Sequence, residues 1–166
     1  AARGRFDALV PRLIEAAAPK IRQHAIEIVT EYDGSPGEIE ADEAVLTTAL
    51  YNIIENAVDA CAEDRRRPAH RITLRVTGQD DCVVIEIADD GVGMSPVIKE
   101  KIFDMFYSSK GHSGTGLGLF IARQVIYQHG GAIRVDSTAG VGSCFRIQLP
   151  RVLPRAEKER RPDPLN

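Results

Sequence analysis

Two pairs of short strands, each closed by a tight turn, set the class of fold open to this chain. Residues 71–77 and 82–88 are short, largely alternating runs around a turn at 78–81. Residues 132–136 and 143–149 repeat the pattern around 137–142. Each pair reads as an antiparallel hairpin, and a further strand at 25–30 ends in the turn Asp33-Gly34-Ser35-Pro36-Gly37. Helical patterns fall between them. One covers 6–18, with Leu9, Leu13, Ile14 and Ala17 on one face and Pro19 as its disruptor. A long one is capped by Asp42 and reaches about residue 62, with an apolar stripe of Val45, Leu46, Ala49, Leu50, Ile53, Ala57 and Cys61. A short one covers 96–102, and the last runs 117–129 to a stop at Gly130-Gly131. Strands before and after helices predict an α/β (α+β) two-layer sandwich. Its sheet is mixed and largely antiparallel, helices cover one face, and solvent meets the other. The irregular stretch 103–116 is long for a structureless connection and is read as a lid.

Composition narrows the function. The chain has 166 residues, enough for one core, with 43% hydrophobic and 27% charged residues. A formal charge of −3 gives no electrostatic case for nucleic acid. No apolar run approaches the roughly 18 residues of a membrane span, and the first apolar stretch is broken by Pro11, Arg12 and Glu15. Cys61, Cys82 and Cys144 are odd in number, far apart and set in apolar surroundings, which predicts free thiols in a reducing compartment. His24, His70, His112 and His129 lack metal-site spacing. The expectation is a cytoplasmic piece of a parent that can itself be membrane-anchored. Residues 1–24 read as a helical junction, 25–150 as one domain, and 151–166, rich in Pro and charge, as a disordered tail.

Four local features carry chemistry. Asn52 and Asn56 share a face of the long helix with Thr48 and Asp59. Asn disfavours a helix interior, so the pair suits a polar ligand or the shell of a hard cation; a solvated face is the alternative. Asp89 ends an apolar strand and needs a donor such as the exocyclic amine of adenine, with Gly91 and Gly93 permitting close approach to a flat ring. An ordinary Asp-Gly turn is the alternative there. Gly114, Thr115, Gly116, Leu117 and Gly118 open a helix, whose N–H groups form a phosphate site. No Gly-Lys-Ser/Thr makes this a P-loop. Asp136 stands where a dinucleotide fold places a ribose-binding acid, but no strand precedes the glycines and Leu119 occupies the third-glycine position. Finally, Phe103, Met105 and Phe106 precede Ser108-Ser109-Lys110-Gly111, as apolar anchors of a lid from which Lys110 reaches a phosphate.

In order and spacing, these boxes resemble those of the histidine-kinase ATPase domain, as does the closing series His129-Gly130-Gly131, Gly142-Ser143 and Leu149-Pro150. The resemblance covers about residues 26–150. It implies the Bergerat fold, with ATP and Mg²⁺ as cofactors. It assigns Asn56 to the metal, Asn52 as its companion, Asp89 to adenine between Gly91 and Gly93, and Gly114–Gly118 to the phosphates. Tyr107-Ser108-Ser109-Lys110 resembles the lid of nitrogen-regulator-type kinases. Asp59 and Ser143 depart from the commoner basic residue and Thr.

ATP-hydrolysing relatives of the wider superfamily carry a glutamate where this chain has Asn52, which cannot act as a general base. Glu55 points about 100° away from Asn56 around the helix. Phosphoryl transfer to a protein nucleophile is therefore expected. None of the four histidines matches the family's acceptor, a helical histidine followed by an acid. The resemblance implies a histidine-bearing dimerisation domain of the same parent, a homodimeric parent and a response regulator as partners. A non-catalytic nucleotide-binding module, or an anti-sigma-type serine kinase, is the competing reading.

Overall fold

The computed structural model describes residues 3–108 and 116–153. The elements are β1 (Arg3–Arg5), α1 (Phe6–Gln23), β2 (Ile26–Asp33), β3 (Glu38–Glu40), α2 (Glu43–Glu63), β4 (His70–Gly78), β5 (Cys82–Asp89), α3 (Pro96–Lys101), α4 (Gly118–Gln128), β6 (Ala132–Thr138) and β7 (Gly142–Pro150). A five-stranded sheet has the order β2-β4-β5-β7-β6. The β2–β4 pair is parallel, with α2 in the long connection that parallel neighbours require; the other pairs are antiparallel. The mixed, largely antiparallel sandwich expected from the hairpins is the fold observed.

The spine is α2. Its cap is Asp42, whose carboxylate accepts from the Val45 N–H at 3.3 Å. Leu46, Ala49, Leu50, Ile53, Ile54, Ala57, Val58 and Cys61 are buried against the sheet residues Ile72, Leu74, Ile85, Ile87, Phe145 and Ile147. Val45, expected in this stripe, is instead largely exposed, and Ile54 and Val58 complete it. The opposite sheet face is polar: Glu31, Arg75, Glu86 and Arg146 stand in register across four strands. Arg75–Glu31 and Arg146–Glu86 pair at 2.9 and 3.6 Å, a solvated ladder that keeps this face wet. The three cysteines are free thiols.

Three expectations need correction. Pro19 does not end α1, which continues to Gln23. Pro19 is exposed, so water can satisfy the carbonyl it frees, and burial of Leu13, Ala17 and Ile21 outweighs the lost bond. Secondly, β1 and β3 form a two-stranded ribbon that no periodicity announces, with Arg3 opposite Glu40 and Arg5 opposite Glu38.

Thirdly, Arg151–Leu153 is fixed rather than part of a loose tail. The Arg151 guanidinium donates to the carbonyls of Gln79 (2.6 and 2.8 Å), Pro36 (2.6 Å) and Glu38 (3.1 Å). Its carbonyl accepts from Glu40 N–H, and Leu153 N–H reaches the Glu40 carboxylate. This one side chain ties the β2–β3 turn to the β4–β5 turn. Arg151→Ala is expected to lower stability by about 2 kcal/mol in denaturant melts. Arg151→Lys is expected to recover less than half of that, since an ammonium lacks the planar fork.

Candidate functional site

At the end of β5 the sheet buries an acid. Asp89 is 8% exposed; its Oδ1 accepts from the Gly91 N–H at 2.9 Å, while Oδ2 is buried without a hydrogen-bond partner among the described residues. Burial pushes its carboxyl up to about 6, against the opposing N–H groups of Gly91 and Ser143. Gly91 lies on the backbone of α2: a Cβ there would come 2.5 Å from the Ala60 carbonyl, and the Val92 N–H donates to that same oxygen at 3.1 Å. Gly93, at φ +66°, passes so close to the Thr138 carbonyl that a Cβ would stand 2.0 Å from it. The turn after Asp89 is thus locked between α2 and the β6–β7 hairpin.

Asn52 and Asn56 sit half-buried on α2, N-terminal to Ala60. Asn52 donates its amide N–H to the Gly118 carbonyl at 3.2 Å, fastening α2 to the start of α4. At the other end of α4, the His129 ring accepts from the Asp42 N–H at 3.3 Å, and its Nδ1 donates to the Val125 carbonyl at 2.8 Å. From Asn52 to Ala60 is eight residues, so the α4 opening and the Asp89 turn meet α2 about 12 Å apart, with Asn56 midway. That span suits an extended nucleoside triphosphate. Glu55 does not face it: Lys20 of α1 binds the Glu55 carboxylate, and this contact raises the Lys20 ammonium above its ordinary value.

At the opening of α4, Gly116 has φ +70° and lies against the backbone of Phe106, whose N–H donates to the Gly116 carbonyl at 2.9 Å. Leu117 is the N-cap and Gly118 the first helical residue. Lys110, Gly114 and Thr115 lie outside the described residues. Of the three expected lid anchors only Phe103 packs inward, edge-on to Phe145 at 6.1 Å; Met105 and Phe106 are 51% and 71% exposed. Phe106 stands at φ +64°, with its backbone packed closely on Gly116.

The histidine kinase-, DNA gyrase B- and HSP90-like ATPases share a sequence profile that matches residues 41–153. This chain belongs to that ATPase family. It is 36% identical over 141 residues to the signal transduction histidine-protein kinase AtoS of Escherichia coli. It is 32% identical over 137 residues to the C4-dicarboxylate transport sensor protein DctS of Rhodobacter capsulatus. These alignments cover 83% and 82% of this chain but 21% and 20% of the relatives, so the chain spans about a fifth of their length. Among solved structures, the catalytic domain of histidine kinase ThkA superposes with a TM-score of 0.78 at 26% identity, covering 91% of this chain and 95% of that one. Full-length ShkA in complex with AMPPNP gives 0.77 at 29% identity, covering 93% of this chain and 32% of ShkA. The fold is that of the catalytic domain of sensor histidine kinases.

The candidate site also holds residues that the sequence does not single out. Ser143, where Thr is commoner among the resembling kinases, contributes its N–H to Asp89, and its hydroxyl pairs with Ser137 Oγ at 2.7 Å. Ser137 Oγ also accepts from the Met94 N–H at 2.8 Å. The signal was the Gly142-Ser143 start of β7: Gly142, at φ +144°, lets the strand begin against the Asp89 carbonyl.

The pH dependence follows from Asp89. Its folded value of about 6 lies above the ordinary 3.8, so its ionised form opposes folding. Stability from this group is gained as pH falls through about 6 and lost as pH rises through it. Asp89→Asn is therefore expected to raise the melting temperature of the nucleotide-free protein at neutral pH, by up to about 3 kcal/mol in stability. The gain should shrink as pH approaches 4, and a fall in stability at neutral pH would contradict the assignment.

Proposed function

We propose that the chain is the ATP-binding catalytic domain of a two-component sensor histidine kinase, and that it passes the γ-phosphoryl of MgATP to a histidine on a separate dimerisation domain of the same parent. The observation that carries this reading is the buried, unmatched Oδ2 of Asp89 beside a glycine turn. Burying a lone acceptor costs free energy unless a donor enters, and the exocyclic amine of adenine is such a donor. Asp89 accepts from that amine, Gly91 and Gly93 leave room for the ring, and the phosphates run along α2 toward the α4 opening. Gly116 and Gly118, at the opening of α4, are read as offering N–H groups to them, and the resemblance to the family assigns Gly114, Thr115, Leu117 and Lys110 to the same phosphates.

The donor set fits Mg²⁺. Among the described residues no three or more His, Cys, Asp or Glu side chains gather to cage a metal. Mg²⁺ is ordinarily held by one or two protein oxygens, with waters and nucleotide phosphates completing its shell, and Asn56 is the protein ligand assigned to it. Once bound, the ion neutralises charge on the transferring group.

Two features favour transfer over hydrolysis. Position 52 is an amide tied to Gly118, and Glu55 is held by Lys20, so neither can take a proton from water. The chain's contribution is positioning and charge stabilisation for an external nucleophile. α1 is the junction toward the dimerisation domain. The parent is read as a homodimer that signals to a response regulator, with this part in the cytoplasm.

Asp89→Asn is expected to abolish nucleotide binding in calorimetry while the protein still melts cooperatively; unchanged affinity would refute the adenine assignment. Asn56→Ala is expected to weaken binding about tenfold with Mg²⁺ present and far less in its absence. With labelled ATP and a separate histidine-bearing helical domain, acid-labile phosphate should appear on that partner. Tight ATP binding with no transfer would instead favour the non-catalytic module.

A further inference from the structure

The loop that leaves α2 carries three arginines in a row, Arg65-Arg66-Arg67, which neither the core nor the proposed chemistry uses. A run of like charges is ordinarily left to water. Here two of the three turn back onto the protein beside the Asp89 turn. Arg67 Nη1 donates to the Asp90 carbonyl at 3.4 Å, and the Arg71 N–H donates to the Asp90 carboxylate at 3.0 Å. Arg66 takes the other side. Its Nη2 donates to the Gly140 carbonyl at 3.2 Å, and the Gly140 N–H donates to the Val92 carbonyl at 2.7 Å. The guanidinium lies against Gly140 itself, at φ +79°, where a Cβ would stand 3.1 Å from Nη1.

A solvated arginine on a loose partner would fix nothing. The Arg66 side chain is 61% exposed, but its anchor is not: Asp64, the C-cap of α2, has a side chain only 1% exposed. Asp64 Oδ1 accepts from the backbone N–H and the Nε of Arg66 at 3.1 and 3.0 Å, and Oδ2 accepts from His70 Nε2 at 3.1 Å. Arg66 and then His70 hold the Asp64 carboxyl well below the usual carboxylate range, so the anchor stays charged. Because the guanidinium is planar, fixing Nε on Asp64 also aims Nη2. Arg66 is thus a spacer of set length between the end of α2 and the β6–β7 turn. Val92, between Gly91 and Gly93, hangs between the same two supports. Its N–H is bound to the Ala60 carbonyl of α2 at 3.1 Å, and its carbonyl to Gly140.

We propose that Arg66 is a positioning residue for base recognition: bridging Asp64 and Gly140, it sets the gap between α2 and the β6–β7 turn, and with it the place at which Asp89 meets the base. It touches no ligand. Without the bridge the Gly140 turn can move off Val92, the Asp89–Gly93 turn gains room, and the fit between Asp89 Oδ2 and an incoming N–H loosens. Selectivity for the amine then falls, while the phosphate contacts at the far end of α2 persist. This role rests on the adenine assignment of Asp89.

The test is calorimetric titration of the whole chain, in Mg²⁺ at neutral pH, with ADP and with the diphosphate of a purine ribonucleoside that lacks the exocyclic amine. The quantity read is the ratio of the two affinities, in the native protein and in Arg66→Met, which keeps an unbranched stem without the donors. The ratio should fall by about threefold to tenfold in the variant, chiefly through weaker ADP binding. Arg66→Lys should not restore it, since an ammonium cannot hold Asp64 and aim at Gly140 with one rigid fork. It also carries the test alone should Arg66→Met fail to melt cooperatively. An unchanged ratio overturns the proposal, even if both ligands bind more weakly, because a merely structural brace weakens both alike. A native ratio restored in full by Arg66→Lys overturns it too, since charge alone would then suffice. The native protein separates the two assignments. If it binds both ligands equally, the adenine assignment of Asp89 falls, and the role of Arg66 with it. If it prefers ADP and both Arg66 variants keep that preference, Arg66 alone is excluded.

Discussion

A carboxylate buried with one oxygen satisfied and the other bare is an unfavourable thing for a fold to hold, and the structure around Asp89 is organised to hold it. Gly91 donates to Oδ1 and the Ser143 N–H lies beside the carboxyl, while Oδ2 has no hydrogen-bond partner among the described residues. The turn that follows cannot relax. Its backbone touches α2 at Ala60, and the Thr138 carbonyl and the Gly140 N–H grip it from the β6–β7 hairpin. The free energy stored in the unmatched oxygen becomes selectivity: a ligand that supplies an N–H at that point relieves it, and one that does not leaves it in place.

α2 converts that point into a site of definite length. The same helix that meets the Asp89 turn at Ala60 meets α4 through Asn52, so the ends of the site are set by a rigid rod rather than by loops. An ionic contact of this helix faces the other way, where Lys20 draws Glu55 toward α1. A helix with a carboxylate in the site could activate water. This one presents amides there, which under the proposed reading would orient a phosphate and a metal without removing a proton.

The layered class of the fold was legible because hairpins and helices announce themselves through periodicity and turn residues. The boxes around Asn52, Asn56, Asp89 and Gly116 were legible because Asn inside a helix and Gly beside a strand-end acid go against local propensity. What escaped has no local signature. The β1–β3 ribbon is too short to show a period. Arg151 looks like any arginine in a charged tail until the fold brings Pro36 and Gln79 to it from far away in sequence. The continuation of α1 through Pro19 is a tertiary override, decided by Ile21 reaching the core. Phe106 sits at positive φ against Gly116 with its ring exposed, so composition pointed to an anchor where the backbone turns the ring out. Ser143 matters through its N–H beside the Asp89 carboxyl, and that neighbourhood exists only once β5 and β7 are assembled.

The most direct measurement of the central claim compares two ligands that differ in one group: ATP, and a purine nucleoside triphosphate that lacks the exocyclic amine, titrated against the same protein at neutral pH in Mg²⁺. The account predicts that the analogue binds at least about a hundredfold more weakly, because it leaves Asp89 Oδ2 without a donor while every phosphate contact persists. Equal affinity for the two would contradict it.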